Sequence, residues 1–545
     1  MSEYDVVIVG GGVAGLRAAH AAKQTGVKVA LLSKTHPLRS HSAASPGGLN
    51  AALGAEDSWE KHLHDTTQAG GGLCDLNALA VMCREAPQEV LRLDHLGVPF
   101  NRDAEGRLER RRLNGSSVSR AAFASDFTGH VVLHTLYEQC LPTGIAAYNE
   151  WQVTSLVIDG GVCHGVLALE LRTGKLAAFA APAVILATGG AGRLYDPSTA
   201  SLSCTGDGMS LAYRARVPLK NMEMVQYHPL GFRAHRAFAS EATLAEGAVL
   251  RDETGQPVLQ AHDALTRDHL CRVLAERGAE RGIDGCCVLD MRSLGRDVIA
   301  SRFTTLERAA RELAGVQLEQ EPLPVRPLMH RLLGGIETDL DGATPMPGLF
   351  AAGECACPGV HGANALAGNA LTASVVFGRR AGSAAAAYAQ ATRLLHVAYA
   401  RLHDGQQFLE SIFSRQSTND TVARIIHDLA VLMTEKVGLV RDGAGLSAAA
   451  ERLVTLKERY ARVGLRHHGK MFNHELGAFL ELGSLLDVAE AVITAAQARK
   501  ESRGVHYRRD FPVSNDEGWR KHTFVLYGTD GPIIEIRSVD AGRSL

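Results

Sequence analysis

Gly10, Gly12 and Gly15 in Gly10-Gly11-Gly12-Val13-Ala14-Gly15 have the spacing that receives a dinucleotide. The first permits a tight turn, the second lets backbone approach a pyrophosphate, and the third lets a helix pack on a strand. The start of that helix adds partial positive charge. At the end of the next strand, Ser33 stands where the commonest NAD pattern has an acid; a serine can still hydrogen-bond a ribose hydroxyl. Arg39-Ser40-His41-Ser42 and Pro46-Gly47-Gly48 follow closely, so a histidine sits near the end of the dinucleotide unit.

These residues need a parallel sheet to hold them. Tyr4 to Val9 reads as a buried strand, Leu16 to Thr25 as an alanine-rich helix stopped by Gly26, and Val27 to Leu32 as the second strand. Ala183 to Gly190 and Gly348 to Glu354 are two more strands ending in small residues, which can deliver backbone to one cofactor at the carboxyl edge. Between His228 and about Ile336 the chain is richer in charge and helix formers, which predicts an inserted second domain. From about Ala384 apolar residues recur at helical spacing, as in Leu476, Phe479, Leu480, Leu486, Ala489 and Ile493. The expected division is a discontinuous cofactor domain (1–228 and 337–384), a cap (229–336), a helical domain (385–505) and a strand-rich tail (506–545). Arg499 to Asp510 reads as a solvated or interface segment.

With 545 residues the chain can bury several cores. Its formal net charge of -2 gives no reason to expect nucleic acid or an anionic membrane as main partner. Ala177 to Ala187 is too short to span a bilayer and reads as a buried strand, and no signal peptide is visible at the N-terminus. The ten cysteines are scattered. Neither Cys286-Cys287 nor Cys355-Ala356-Cys357 has metal-site spacing, so reduced thiols in a cytoplasmic protein are expected and no metal site is predicted.

Beyond the glycine turn the chain resembles the flavoprotein subunits of succinate dehydrogenase and fumarate reductase. The resemblance is carried by Leu31-Leu32-Ser33-Lys34, Arg39-Ser40-His41-Ser42, Gly47-Gly48-Leu49-Asn50, Asp57-Ser58-Trp59-Glu60, Thr128-Gly129-His130 and Ala187-Thr188-Gly189-Gly190. It continues through Thr205-Gly206-Asp207-Gly208, Met222-Glu223-Met224, Gln226-Tyr227-His228-Pro229, Val360-His361-Gly362-Ala363-Asn364, Met433 to Gly438 and Arg499 to Gly504, in family order over nearly the whole chain.

The resemblance implies a doubly wound FAD-binding α/β domain, an inserted α+β cap, a helical domain and a small tail. FAD would lie along Gly10, Gly12 and Gly15, Ser33, Lys34, His41, Ser42, Gly47, Gly48, Asp207, Glu354, Ala370 and Leu371. It would be covalently held through His41, which tunes the flavin potential. Pro46 replaces a family glutamine and removes an amide and a backbone donor beside the flavin. An iron–sulfur subunit is the implied electron partner, since no cluster motif occurs here. Through it come a membrane anchor or another acceptor, and a position peripheral to the inner membrane.

The family moves hydride between flavin and a carbon–carbon bond flanked by carboxylates. His228 and the Ser240-Glu241 pair match residues contacting one carboxylate, His330 matches a contact to the other, and Arg267 matches the proton-transferring arginine. An arginine is a poor acid by its ordinary pKa, and the residues alone suggest for Arg267 a surface pair with Asp263 or Asp268. Three departures stand out. Ala365 replaces a carboxylate-gripping arginine, Leu244 replaces an arginine of the proton relay, and Leu113 replaces a phenylalanine beside the substrate. They predict a roomier, less cationic pocket and a substrate other than plain succinate. Arg331 or the Arg110-Arg111-Arg112 run could restore positive charge, with exposed charge the expectation for the run. True succinate or fumarate chemistry is one alternative and a non-catalytic electron-transfer subunit another. A self-contained oxidase of the aspartate oxidase type is disfavoured by His41.

Overall fold

The computed structural model describes residues 2–252, 254–258, 266–280, 287–395, 398–416 and 418–539. At its centre are five parallel strands in the spatial order Leu349–Ala351, Ala183–Leu186, Val6–Val9, Val29–Ser33 and Ala146–Asn149. All four residues of Val6–Val9 are buried. Val7 and Val9 join one apolar core while Val6 and Ile8 join another. A sheet covered on both faces can use an unbroken apolar run, which is why this strand does not alternate.

Helices Val13–Lys23 and Asn369–Ala391 pack together beside this sheet. Their approach requires glycine: a Cβ on Gly378 would lie 2.6 Å from the Ala14 carbonyl oxygen, and one on Gly382 would lie 2.3 Å from that of Ala18. A four-stranded sheet, Ser2–Glu3, Lys175–Ala180, Val162–Glu170 and Trp151–Asp159, lies alongside. The run Ala177 to Ala187 is therefore not one strand. It breaks at Ala181-Pro182, and its halves belong to different sheets.

The inserted segment builds an antiparallel sheet of Val225–Phe232, Leu323–Leu332, Cys287–Asp290 and Val249–Asp252. Helices Arg267–Glu280 and Arg296–Arg302 accompany it, over a separate core that includes Phe232, Leu289, Phe303 and Val325. Helices Val422–Lys436, Gly443–Arg462 and His474–Ala498 pack on one another further along. The last is started by Asn473, whose Oδ1 accepts the Leu476 N–H at 2.9 Å. The tail returns to the body: Lys521–Leu526 pairs with Leu219–Lys220 and carries Ile533–Ser538 on its outer edge.

Most of the charged run Arg499 to Asp510 is buried rather than solvated, with Lys500, Arg509 and Asp510 left exposed. Arg499, Glu501 and His506 are fully buried, and Arg503 and Arg508 nearly so. Arg499 Nε donates to Glu223 at 2.6 Å and its Nη1 to Glu501 at 2.9 Å. Opposite charges a few residues apart satisfied each other inside the fold, together with a glutamate far away in sequence. The nine described cysteines are buried; Cys286 lies outside the described residues. Among the described residues no helix is long and apolar enough to cross a membrane.

Candidate active site

The carboxyl ends of the central strands open onto a long cavity that continues beneath the antiparallel sheet of the inserted segment. It encloses about 1790 Å³, its open mouth included. One half is made by the glycine turn and its neighbours. Gly10, Gly12, Ser33, Lys34, His41, Ser42, Gly47, Gly48, Asp207, Glu354, Ala370 and Leu371 all line it. Gly15 does not; it lies under the turn, where a Cβ would sit 1.9 Å from the Gly10 carbonyl oxygen. A Cβ on Gly10, whose φ is +117°, would be 2.2 Å from the Ala187 oxygen. The turn thus exists only with glycine at both places. The N-cap of helix Val13–Lys23 is Gly12, which has no capping side chain; the Val13 N–H meets the Ser42 hydroxyl at 3.3 Å, and the positive end of the helix faces the cavity. This helix start and its glycine cradle fit a dinucleotide pyrophosphate.

Lys34 lines the same half and is fixed by Asp207 at 2.8 Å and Glu481 at 2.7 Å. Burial disfavours its charge, but the two carboxylates outweigh burial and hold its pKa above the ordinary lysine value. His41 belongs to a short helical turn, His41–Ala44, and its Nδ1 accepts the Ser201 N–H at 3.3 Å. Its second ring nitrogen remains for the cavity. Burial lowers its pKa, against Glu354, so the neutral ring is favoured. Arg111, in the triple-arginine run, is buried rather than exposed. It donates to the Pro46 and Gly47 carbonyls and lies over the Phe123 ring at 4.3 Å. It braces the loop that follows His41.

The other half gathers His228, Ser240, Glu241, Arg267, His330 and Ala365. Arg267 is not a surface residue. Nε donates to Glu241 Oε2 at 3.1 Å, Nη2 contacts the same oxygen, and Nη1 donates to Gln226 at 3.0 Å. Gln226 in turn donates to Asn364 at 2.8 Å and to the Ala365 carbonyl at 3.2 Å. Asp268 pairs with Arg272 instead, and Asp263 lies outside the described residues. Burial would raise the Glu241 pKa, but Arg267 and His228 hold it below the ordinary carboxylate value. For Arg267, Glu241 outweighs burial and raises the pKa further.

His228 Nδ1 accepts the Leu230 N–H at 3.2 Å, which puts the ring proton on Nε2. Burial pushes its pKa down to about 3, with Glu241 opposing and Arg267 assisting. His330 Nδ1 shares a 2.7 Å hydrogen bond with the Thr199 hydroxyl, and burial, then His228, carry its pKa well below the usual value. Phe238 completes a three-ring cluster, 4.7 Å from His228 and 5.2 Å from His330.

Ala365 and Leu113 are both buried and present apolar atoms to the cavity. Leu244 turns away and packs against the core of the inserted segment. Glu241 Oε1 is left buried with no hydrogen-bond partner among the described residues. Trp151, Gln152 and Phe238 line the cavity and Glu481 anchors Lys34, yet none belongs to a motif that announces it.

Nucleotide cradle, buried ion pair and neutral histidines on one cavity define the class: an FAD-dependent oxidoreductase acting on carbon–carbon single and double bonds. The family model for the FAD binding domain matches residues 5–371, and that for the fumarate reductase flavoprotein C-terminus matches residues 426–544. The chain belongs to the family of succinate dehydrogenase and fumarate reductase flavoprotein subunits. It is 39% identical over 560 residues to the fumarate reductase flavoprotein subunit of Mycobacterium tuberculosis, covering 98% of this chain and 96% of that one. It is 36% identical to the succinate dehydrogenase flavoprotein subunit of Rickettsia bellii, covering 97% and 93%. An E. coli quinol fumarate reductase structure superposes with a TM-score of 0.95 at 35% identity, covering 100% of this chain and 98% of that one.

Proposed function

We propose that this chain is the flavoprotein subunit of a complex that moves hydride between FAD and a carbon–carbon bond of a carboxylate other than plain succinate. The observation that carries the reading is one cavity joining the glycine cradle and His41 to Arg267, Glu241, His228 and His330, with the Ala365 methyl where the family has an arginine. Bound FAD would supply the hydride acceptor or donor, held by Gly10, Gly12, Ser33, Lys34 and Glu354 and tethered through His41.

The chain's own residues do the rest. His228 presents an Nε2 proton, and the Ser240 hydroxyl oxygen already accepts the Ala242 N–H at 3.2 Å, which leaves its own proton to donate. Both are neutral donors suited to a carboxylate oxygen. Arg267 holds a proton toward the reacting carbon and has Glu241 behind it as the group that returns one. Leu244 ends that path at Glu241, which predicts slow proton exchange with solvent. Electrons leave or enter through an iron–sulfur partner subunit, and association with a membrane is peripheral, through partners. The name "subunit" carried by the relatives supports this assembly.

Anaerobic mixing of the flavoprotein with a carboxylate panel, watching the flavin band, tests the reading. Bleaching by a carboxylate other than succinate is expected. Full reduction by succinate at modest concentration would overturn the altered substrate. Bleaching by nothing, even with Ala365→Arg, would overturn turnover itself.

A further inference from the structure

Arg331 is 8% exposed and lines the cavity, yet no hydrogen bond or ion pair to its guanidinium occurs among the described residues. Its Nε is fully buried without a partner. A desolvated guanidinium with nothing to donate to is costly, and a carboxylate in the cavity would relieve it with two parallel hydrogen bonds. The other cavity-lining cations among the described residues are committed: Lys34 to Asp207 and Glu481, Arg267 to Glu241. Glu354 acts on Arg331 from beyond ion-pair distance, and its Oε1 already accepts the Leu332 N–H at 3.2 Å.

The backbone explains how Arg331 reaches the cavity. In the pairing of Val225–Phe232 with Leu323–Leu332, Gln226 faces Arg331 and Tyr227 faces Met329, so His330 is an extra, unpaired residue. A bulge of this kind breaks the alternation of a strand and re-aims adjacent side chains. His330 and Arg331, which a regular strand would send to opposite faces, both line the cavity. On other parts of the wall, Ala365, Leu366, Leu113 and Phe238 offer no cation.

We propose that Arg331 is the residue that receives the substrate carboxylate, and that the far end of the substrate is uncharged: a monocarboxylate oxidised or reduced at the carbon–carbon bond beside its carboxylate. The inference rests on the redox reading above and gives it a substrate class. A second carboxylate would meet only the neutral donors His228 and Ser240 and apolar wall, with no free cation among the described residues, which penalises dicarboxylates.

The test titrates the FAD-loaded protein with crotonate, trans-cinnamate and fumarate and follows the flavin difference spectrum. Crotonate or cinnamate should bind about tenfold or more tightly than fumarate, and Arg331→Gln should weaken that binding about a hundredfold, as expected for a charge-assisted bidentate contact. Arg331→Lys should recover part of it, and it keeps the test usable if the neutral variant does not fold. Equal or tighter binding of fumarate overturns the proposal, as does unchanged crotonate affinity in Arg331→Gln. A shifted flavin midpoint potential with unchanged affinity also overturns it and assigns Arg331 to the cofactor. Reduction of the flavin by saturated acids reads out separately. Arg331-dependent crotonate binding without any bleaching supports the carboxylate site and sinks the redox reading. Bleaching by a dicarboxylate that survives Arg331→Gln does the reverse.

Discussion

Lys34 Nζ lies 2.7 Å from Glu481, joining the end of the second central strand to the helix His474–Ala498. The same ammonium meets Asp207 at 2.8 Å, so one lysine gathers three distant segments at the rim of the cofactor cradle. Glu481→Ala is expected to lower stability by about 1–3 kcal/mol, since it removes one charged partner and leaves the other. Urea unfolding would measure this, and FAD release at intermediate urea should come earlier than in the parent protein. An unchanged release midpoint would show that Glu481 is structural ornament for the helix alone.

His41 offers the cavity a neutral ring whose other nitrogen is already bonded to Ser201. Acid precipitation should leave the yellow colour in the pellet. His41→Ala should send it to the supernatant while FAD still binds through the glycine cradle. Colour wholly in the supernatant from the parent protein would refute the tether.

The Arg267–Glu241 pair is buried, with side chains 12% and 3% exposed. Glu241→Gln leaves Arg267 without its counter-ion and, in the proposed relay, without the group that returns its proton. The expected result is a kcat lower by about 10²–10³ with a much smaller change in KM. A rise in KM alone would make Glu241 a binding residue.

Buried neutral histidines set an acid limit. His228 and His62 have pKa values lowered by burial to about 3 and about 4, from an ordinary value near 6.5. Protons therefore bind the unfolded chain first, and stability rises with pH in this range. The contribution is complete above about pH 6.5 and is lost as pH falls toward 4, by up to about 1.4 kcal/mol per pH unit for each histidine. Urea midpoints measured from pH 7 to 5 should fall steadily, and His62→Gln should flatten the slope. A slope that His62→Gln leaves intact would assign the acid sensitivity elsewhere.

Arg499, Glu223 and Glu501 are all 0% exposed, and Arg499 pairs with both glutamates. Arg499→Ala leaves buried Glu223 with no cation and Glu501 with Arg503 alone, and should cost about 3–5 kcal/mol or abolish folding. Arg499→Lys should recover less than half, because a lysine cannot also reach the Trp519 and Lys521 carbonyls that Arg499 serves. A thermal scan decides it.

The sequence by itself determined what is local. Glycines at 10 and 15 announced the turn because no other residue clears the Ala187 and Gly10 carbonyls, and Gly12 between them completes the spacing. The buried strand Val6–Val9 and the helix His474–Ala498 were legible for the same reason, since apolar runs and helical spacing report on neighbours a few residues away. Motif order placed His41, His228, Glu241, Arg267 and His330 in one reading before their distances were known. Only the tertiary structure decided which charges are buried and what they meet. Arg499 to Asp510 looked like a solvated run because its partner Glu223 is far off in sequence. Glu481 had no motif because its lysine belongs to another segment. Arg331 became a cavity residue through one extra residue in a strand pairing, and the pattern of a single strand does not record its partner's register. Burial and pairing of charge depend on what the rest of the chain brings alongside, and that is settled only when the chain has folded.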